Sequence, residues 1–327
     1  MEILGLLYDG FLIALQPLNI TVVIIGVVVG LFIGAMPGLG SVNGVAILLP
    51  MTFLVPPTSA IIFLAALYYG AMYGGAISSI MLGIPGASTA VATTFDGRPL
   101  ALKGLADKAL ITAAIASFIG GTVSVILFTG FAPPLAQIAL DFGDHEIFAL
   151  MLVAFATFVG LSGDDIPKTI FSICIGLVFS AVGLDIMSGE PRLVFFDIIG
   201  FMHGINFLVL AIGIYGIGEM MWTIENNRGD SAMSKAVLTL NGFMDSLRDI
   251  GRTWIAWTTG SFLGFFVGIL PAAGATPGSL MAYGVAKMTS KDSDNFGKGE
   301  VAGVDAPESC LLYTSPSPRD QRGSRMP

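Results

Sequence analysis

Three Gly/Pro-rich breaks interrupt the apolar runs near the start of the chain, with small polar side chains beside them. They are GAMPGLGSVNG (34–44), YGGAISSIMLGIPGAST (73–89) and VATTFDG (91–97). Proline removes an N–H group and glycine allows close approach, so the free N–H groups of the following half-helix point at a site with the positive end of its dipole. Together with neutral hydroxyl and amide groups, this arrangement suits a carboxylate or a dehydrated cation.

The breaks and a later counterpart offer a substrate site built from backbone N–H groups and hydroxyls, because no Arg or Lys lies deep in an apolar run. Its predicted residues are Pro37, Gly38, Gly40, Ser41, Asn43, Ser78, Ser79, Pro85, Gly86, Ser88, Thr89, Gly274, Thr276, Pro277 and Gly278. Thr93, Thr94 and Asp96 are the candidates for binding a coupling ion, Na⁺ or H⁺; capping of the loop beside Arg98 is the alternative role of Asp96. For regularly spaced glycines such as Gly26, Gly30 and Gly34, the alternative is helix packing.

Other kinds of chemistry find little support in the sequence. His145 and His203 lie at the ends of apolar runs without a Cys, Asp or His at ligand spacing, so no metal or other cofactor is expected. A His-Glu-x-x-His helix is missing, and the serines lack a nearby base, which disfavours an intramembrane hydrolase. A net charge of -8 without a basic cluster excludes nucleic acid as a partner. A channel or a structural protein remains an alternative.

The elements that must position these residues are membrane helices. Of the 327 residues, 54% are hydrophobic and 12% are charged, and the mean hydropathy is +0.83, which predicts an all-α polytopic membrane protein in a lipid bilayer. Windows of about 20 apolar residues predict seven spans. They are 18–36, 58–82, 108–131, 146–162, 168–184, 205–222 and 253–271. A shorter stretch containing Pro50, 42–56, is an eighth span or a re-entrant segment.

Basic residues in short loops predict the orientation. Arg98, Lys103 and Lys108 mark the loop 83–107 and its end as cytoplasmic, and four further basic residues do the same for the connecting loop 223–252. Four predicted spans separate the two loops, and an even number agrees with both assignments.

An internal repeat indicates a secondary transporter. Residues 30–44 and 264–278 match at six of fifteen positions without a gap, including Pro37 with Pro271 and Gly40 with Gly274. This predicts a first repeat unit over 1–222 and the start of a second over 253–309. The copies are inverted if 42–56 crosses the membrane and parallel if it is re-entrant. Residues 310–327 resemble the translation of a sequencing adapter, and we expect them to be a non-native tail.

Longer motifs resemble a known family. GLFIGAMPGLG, YYGAMYGGAISSIMLGIPG, ATTFDGRPLALKG and GFFVGILPAAGATPGS are similar to the large membrane subunit of the tripartite tricarboxylate transporters, from about residue 10 to Ser309. The resemblance implies a permease of the bacterial inner membrane, which works with a small four-helix membrane subunit and a periplasmic solute-binding protein. It also implies a carboxylate substrate and an ion gradient as the driving force. The family continues beyond Val304–Ser309, so the chain is expected to be truncated and not to transport alone.

Overall fold

The computed structural model describes residues 2–37, 39–141, 143–161, 166–185, 189–194, 199–205, 207–225, 240–269, 275–290 and 292–311. These residues are mainly helical, which confirms the predicted all-α class. The α-helices, in chain order, are α1 (Glu2–Ala14), α2 (Pro17–Ala35), α3 (Gly40–Leu48), α4 (Pro57–Leu82), α5 (Val91–Leu102), α6 (Ala106–Asp141), α7 (Asp144–Leu161), α8 (Ile166–Ser180), α9 (Ile199–Met202), α10 (Phe207–Glu225), α11 (Leu240–Arg252), α12 (Trp254–Ile269), α13 (Ala275–Thr289) and α14 (Ala302–Leu311).

Short elements join some of these helices. Short 3₁₀ segments span Leu49–Leu54, Ser88–Ala90 and Ser293–Asn295. Strands β1 (Gly183–Leu184) and β2 (Pro191–Arg192) form a small antiparallel hairpin.

Proline and glycine set the helix boundaries that the site depends on. Pro17 and Pro57 occupy the first turns of α2 and α4, where their missing N–H groups have no partner to lose. Gly83 ends α4 in the left-handed conformation with φ 71°, and Gly40 begins α3 with φ 67°, both of which favour glycine over other residues. The first two predicted breaks are therefore true helix interruptions.

Among the described residues, three helices are long and apolar enough to cross a membrane, namely Pro17–Ala35, Pro57–Leu82 and Ala106–Phe131. Each of the other four predicted spans overlaps one of the helices α7, α8, α10 and α12, but the count of seven to eight spans stays a prediction. The stretch 42–56 lies mostly in the shorter apolar helix Gly40–Leu54, which packs against α2 and α4.

The segment 83–107, predicted to be a cytoplasmic loop, contains the helix α5 and is mostly buried, so it is not an open loop, while its side of the membrane stays a prediction. Helix α5 packs against α4, α6, α13 and α14. Within the segment, Lys103 to Leu105 form the exposed run. A basic residue does not indicate an exposed loop where its charge is satisfied inside the protein. Arg98, for example, donates from Nη1 to the carbonyl oxygen of Met81 at 2.5 Å. Of the second predicted loop, 223–252, the part from residue 240 onward is the amphipathic helix α11, and 226–239 lie outside the described residues.

Close glycine contacts hold two helix pairs together. Gly26, Gly30 and Gly34 of α2 lie against the backbone of α4, while Gly260 and Gly264 of α12 lie against that of α14. Helix α14 also packs against α5, α6 and α13, so it joins α12 and α13 to the first part of the chain. A core cluster that includes Ala92, Ala282, Phe296 and Ala306 forms at this junction.

Candidate functional site

The first break places one hydroxyl in the interior. Ser41, in the first turn of α3, is 6% exposed, and its Oγ donates to Met72 Sδ at 3.4 Å. Gly40 is also buried, whereas Pro37 and Asn43 are exposed and Gly38 lies outside the described residues. Of the predicted residues here, only Gly40 and Ser41 therefore face the interior.

The second break packs tightly beneath the first. Pro85 and Gly86 are buried, and a Cβ atom on Gly86 would lie 2.3 Å from the carbonyl oxygen of Gly34 and 2.4 Å from Ser78 Oγ. Such distances leave room for glycine alone at position 86. The first two breaks thus meet at the end of α2.

The buried hydroxyls of the second break have partners within the protein. Ser78 Oγ donates to Gly75 O at 3.0 Å, and Ser79 Oγ contacts Gly75 O and Ala90 O at 2.9 and 3.0 Å. Thr89 Oγ1 donates to Met72 Sδ at 3.7 Å, so it shares this acceptor with Ser41. Sulfur is a weak acceptor, and these two hydroxyls are therefore the ones most easily turned toward a ligand. Ser88 is half-buried beside them.

The later counterpart lies at the start of a helix. Thr276, Pro277 and Gly278 form the first turn of α13, where Thr276 O accepts from Ser279 Oγ at 3.0 Å. Helix α13 packs against the 3₁₀ turn Ser88–Ala90. The helix that begins with the later counterpart therefore contacts the second break. Gly274 lies outside the described residues.

The predicted coupling-ion residues lie on α5 in three different environments. Thr93 is fully buried and donates to Glu308 Oε1 at 2.6 Å, while Thr94 donates to Ala90 O at 3.2 Å. Asp96 is fully buried too, and both of its carboxylate oxygens accept hydrogen bonds from the segment 283–300. This arrangement makes Asp96 an anchor for the chain between α13 and α14.

Asp96 Oδ1 accepts three backbone hydrogen bonds, from the N–H groups of Gly297 at 2.9 Å, Gly299 at 2.7 Å and Glu300 at 2.8 Å. Its Oδ2 accepts from the Tyr283 hydroxyl at 2.9 Å. Glu300 lies at the edge of this cluster, where burial and the nearby carboxylates of Asp292 and Asp96 raise its pKa.

Two buried carboxyl groups on α14 were not among the predicted site residues. Asp305 and Glu308 are both 0% exposed, and they contact Thr253, Thr93 and Ser117. The sequence does contain an indication of them, because Asp305 and Glu308 are the acidic residues of VAGVDAPES, a run otherwise made of small and apolar residues. In the sequence analysis, this run was used only for the family resemblance and not to predict a site.

A polar cavity of about 570 Å³ opens between α6, α11, α12, α13 and α14. Its lining includes Lys108, Asp249, Arg252, Thr253 and Glu300. Lys108 Nζ and Asp249 Oδ2 form an ion pair at 2.5 Å in this lining. In the described part of the chain, no three His, Cys, Asp or Glu side chains are grouped to hold a metal ion.

Apolar helices of membrane-spanning length, interrupted by buried polar turns, define the class of the protein as an all-α membrane protein. The sequence pattern of the Tripartite tricarboxylate transporter TctA family matches residues 20–311. The chain belongs to this family, which is one of inner-membrane transporters and not of enzymes. No solved structure matches the chain.

A curated relative extends the comparison. The "Uncharacterized 52.8 kDa protein in TAR-I ttuC' 3'region" of Agrobacterium vitis is 36% identical over 309 residues. The alignment covers 94% of this chain and 61% of the relative, so the chain spans about three fifths of that protein's length.

The family match includes the first two residues of the predicted non-native tail. Cys310 and Leu311 are the last residues of α14, and both are buried. The family match also ends at residue 311. The remainder of that segment, 312–327, lies outside the described residues.

Proposed function

We propose that the chain is the permease subunit of a secondary transporter that imports di- or tricarboxylates such as citrate across the inner membrane. A solute-binding protein in the periplasm delivers the substrate, a small four-helix membrane subunit completes the permease, and a cation gradient drives uptake. Membership of the family supports this function. The main structural support is that hydroxyl groups from two helix breaks meet at the sulfur of Met72.

The proposed substrate site lies where α3 begins and where the 3₁₀ turn before α5 begins. Helix N-termini present free N–H groups and a positive dipole end to an anion. Ser41 and Thr89 lie at these two N-termini, and in the described part of the chain both donate to the sulfur of Met72. A bound carboxylate is a stronger acceptor, so both hydroxyls would turn to it. The N-terminal turn of α13, with Thr276 and Gly278, supplies the matching part of the second unit.

The coupling cation is proposed to bind beside α5. Of the three residues predicted for it, Thr93 carries the proposal, because its hydroxyl reaches the buried carboxyl of Glu308. Thr94 follows on the same helix, and the oxygens of Asp96 are already engaged by four hydrogen bonds. Neutralising a carboxylate substrate with a cation lowers the cost of carrying it through a low-dielectric site.

Substituting Ser41→Ala or Thr89→Val in the full-length subunit is expected to raise the KM for citrate roughly 10-fold to 100-fold, because each removes a donor to a charged group worth about 1.5–3 kcal/mol. Uptake of radiolabelled citrate by proteoliposomes that contain the subunit with both partners measures this. Ser172→Ala and Thr122→Val are matched controls, since both hydroxyls donate to carbonyls on exposed helix surfaces. Unchanged KM values in Ser41→Ala and Thr89→Val would remove these residues from the site.

A further inference from the structure

Helix α14 carries two fully buried carboxyl groups one turn apart. Asp305 and Glu308 are both 0% exposed, and their spacing of three residues puts them on neighbouring positions of the same helix. Neither forms an ion pair with any of the described residues. An unpaired charge inside a protein is costly, so a buried carboxyl group without a cationic partner readily takes up a proton.

Glu308 is held by two hydroxyl groups from two other helices. Thr93 Oγ1 on α5 donates to Glu308 Oε1 at 2.6 Å, and Ser117 Oγ on α6 donates to Oε2 at 2.9 Å. A hydroxyl group can donate to a carboxylate and can accept from a carboxylic acid. These partners therefore fit both protonation states of Glu308. Their short distances leave no gap for a metal ion between them and the carboxyl oxygens.

Asp305 lies one turn from Glu308 on α14 and contacts a residue that lines the polar cavity. Thr253 Oγ1 donates to Asp305 Oδ2, and Thr253 also lines the cavity beside α11. Asp305 Oδ1 is buried without a hydrogen-bond partner in the described structure. This buried oxygen is free to accept a hydrogen bond and is therefore a position where a proton can bind.

Most of the charged groups on the surrounding elements have partners of their own. Helix α12 contains no titratable side chain. The titratable and charged groups on the other elements that pack near the pair are Tyr73 on α4, Asp96 and Arg98 on α5, Lys108 on α6, Asp249 and Arg252 on α11, Tyr283 on α13 and Glu300 before α14. Lys108 pairs with Asp249, Asp96 accepts from Tyr283, and Arg98 and Tyr73 donate to carbonyl oxygens. Since no described cationic group forms an ion pair with Asp305 or Glu308, protonation is a direct means of neutralising the carboxyl pair.

We propose that Glu308, together with Asp305, binds the coupling proton and exchanges it with the cavity through Thr253. This inference rests on the proposed transport function and assigns its coupling cation. Protonation changes Glu308 from an anion to a neutral acid, and the reverse step returns the same proton to the cavity. The positive-inside rule places that cavity, with its basic residues Lys108 and Arg252, on the cytoplasmic side, where an imported proton is released.

Glu308→Gln tests the proposal in the full-length subunit, assembled with both partners in proteoliposomes. The amide cannot titrate, so we expect loss of citrate accumulation driven by a pH gradient, while citrate counterflow at equal pH on both sides persists. Glu146→Gln is the matched control, because Glu146 is exposed and accepts a hydrogen bond from the nearby N–H of Gly143. Accumulation by Glu308→Gln at the wild-type level overturns the inference. Failure of the proposed function would look different, since the wild type itself would then neither accumulate nor exchange citrate.

Ser117→Ala keeps the test decisive if Glu308→Gln does not fold. It retains the carboxyl group but removes one donor to its ionised form, so Glu308 should hold its proton more tightly. The pH profile of citrate accumulation is then expected to shift to higher pH, with counterflow unchanged. A profile identical to that of the wild type would contradict the role of Glu308.

Discussion

Gly34→Val is expected to force α2 away from α4 and to lower the free energy of unfolding by roughly 3 kcal/mol or more, at the upper end of typical overpacking costs. A Cβ atom at position 34 would lie 1.9 Å from the carbonyl oxygen of Ala71 and 2.6 Å from its carbonyl carbon. These are backbone atoms, so no side-chain rotation can relieve the overlap. The carbonyl oxygen of Gly34 also faces Gly86, and movement of α2 therefore disturbs both helix breaks.

Denaturant titration of the purified full-length subunit in detergent measures this loss of stability. Gly130→Val is the matched control, because a Cβ atom at position 130 meets nothing within 4 Å, although it too adds a β-branched residue to a long helix. Equal loss of stability in the two variants would show that helix propensity, not the close contact with Ala71, determines the effect.

Close glycine contacts of this kind also occur in both copies of the proposed internal repeat. Alignment by the offset of the sequence repeat pairs Gly26 with Gly260 and Gly30 with Gly264. In the structure, all four glycines lie against the backbone of the helix they pack on, α4 for the first two and α14 for the others. This shared packing supports a duplicated unit, while the division into 1–222 and 253–309 stays a prediction.

Local sequence patterns predicted the helices well because each pattern is complete within one segment. Apolar runs, with prolines such as Pro17 and Pro57 at their starts, identify α2 and α4 without knowledge of the rest of the chain. The position of α5 could not be predicted in this way. Asp96 and Arg98 are typical of a solvated loop, and only contacts with Gly297, Tyr283 and Met81 make their burial possible.

The proposed proton site shows the same limit of local patterns more strongly. Thr93 and Glu308 are separated by 215 positions and Ser117 and Glu308 by 191, and no spacing rule connects residues so far apart. Part of the proposed substrate site could be predicted from the sequence, because Gly40, Ser41 and Thr89 belong to Gly/Pro-rich breaks that are visible there. Which of them face inward depends on how α3 packs against α4, and this left Asn43 and Pro37 exposed.

Asp96→Ala is expected to lower the free energy of unfolding by about 3 kcal/mol or more, since it leaves three backbone N–H groups and the Tyr283 hydroxyl without their acceptor. Each buried group that loses its partner costs about 1–3 kcal/mol, and such losses do not add fully. The affected segment, 297–300, leads directly into α14. Loosening it should therefore also disturb the positions of Asp305 and Glu308.

Denaturant titration of the full-length subunit compares Asp96→Ala with Asp294→Ala, an exposed acidic residue in the neighbouring 3₁₀ turn, which should change stability little. Tyr283→Phe removes only one of the four hydrogen bonds and is expected to have an intermediate effect. The order of the three variants separates the two roles weighed for Asp96. An anchor predicts a large loss of stability, whereas an ion-binding carboxylate with no structural role would leave stability near that of Asp294→Ala and abolish only the cation dependence of uptake.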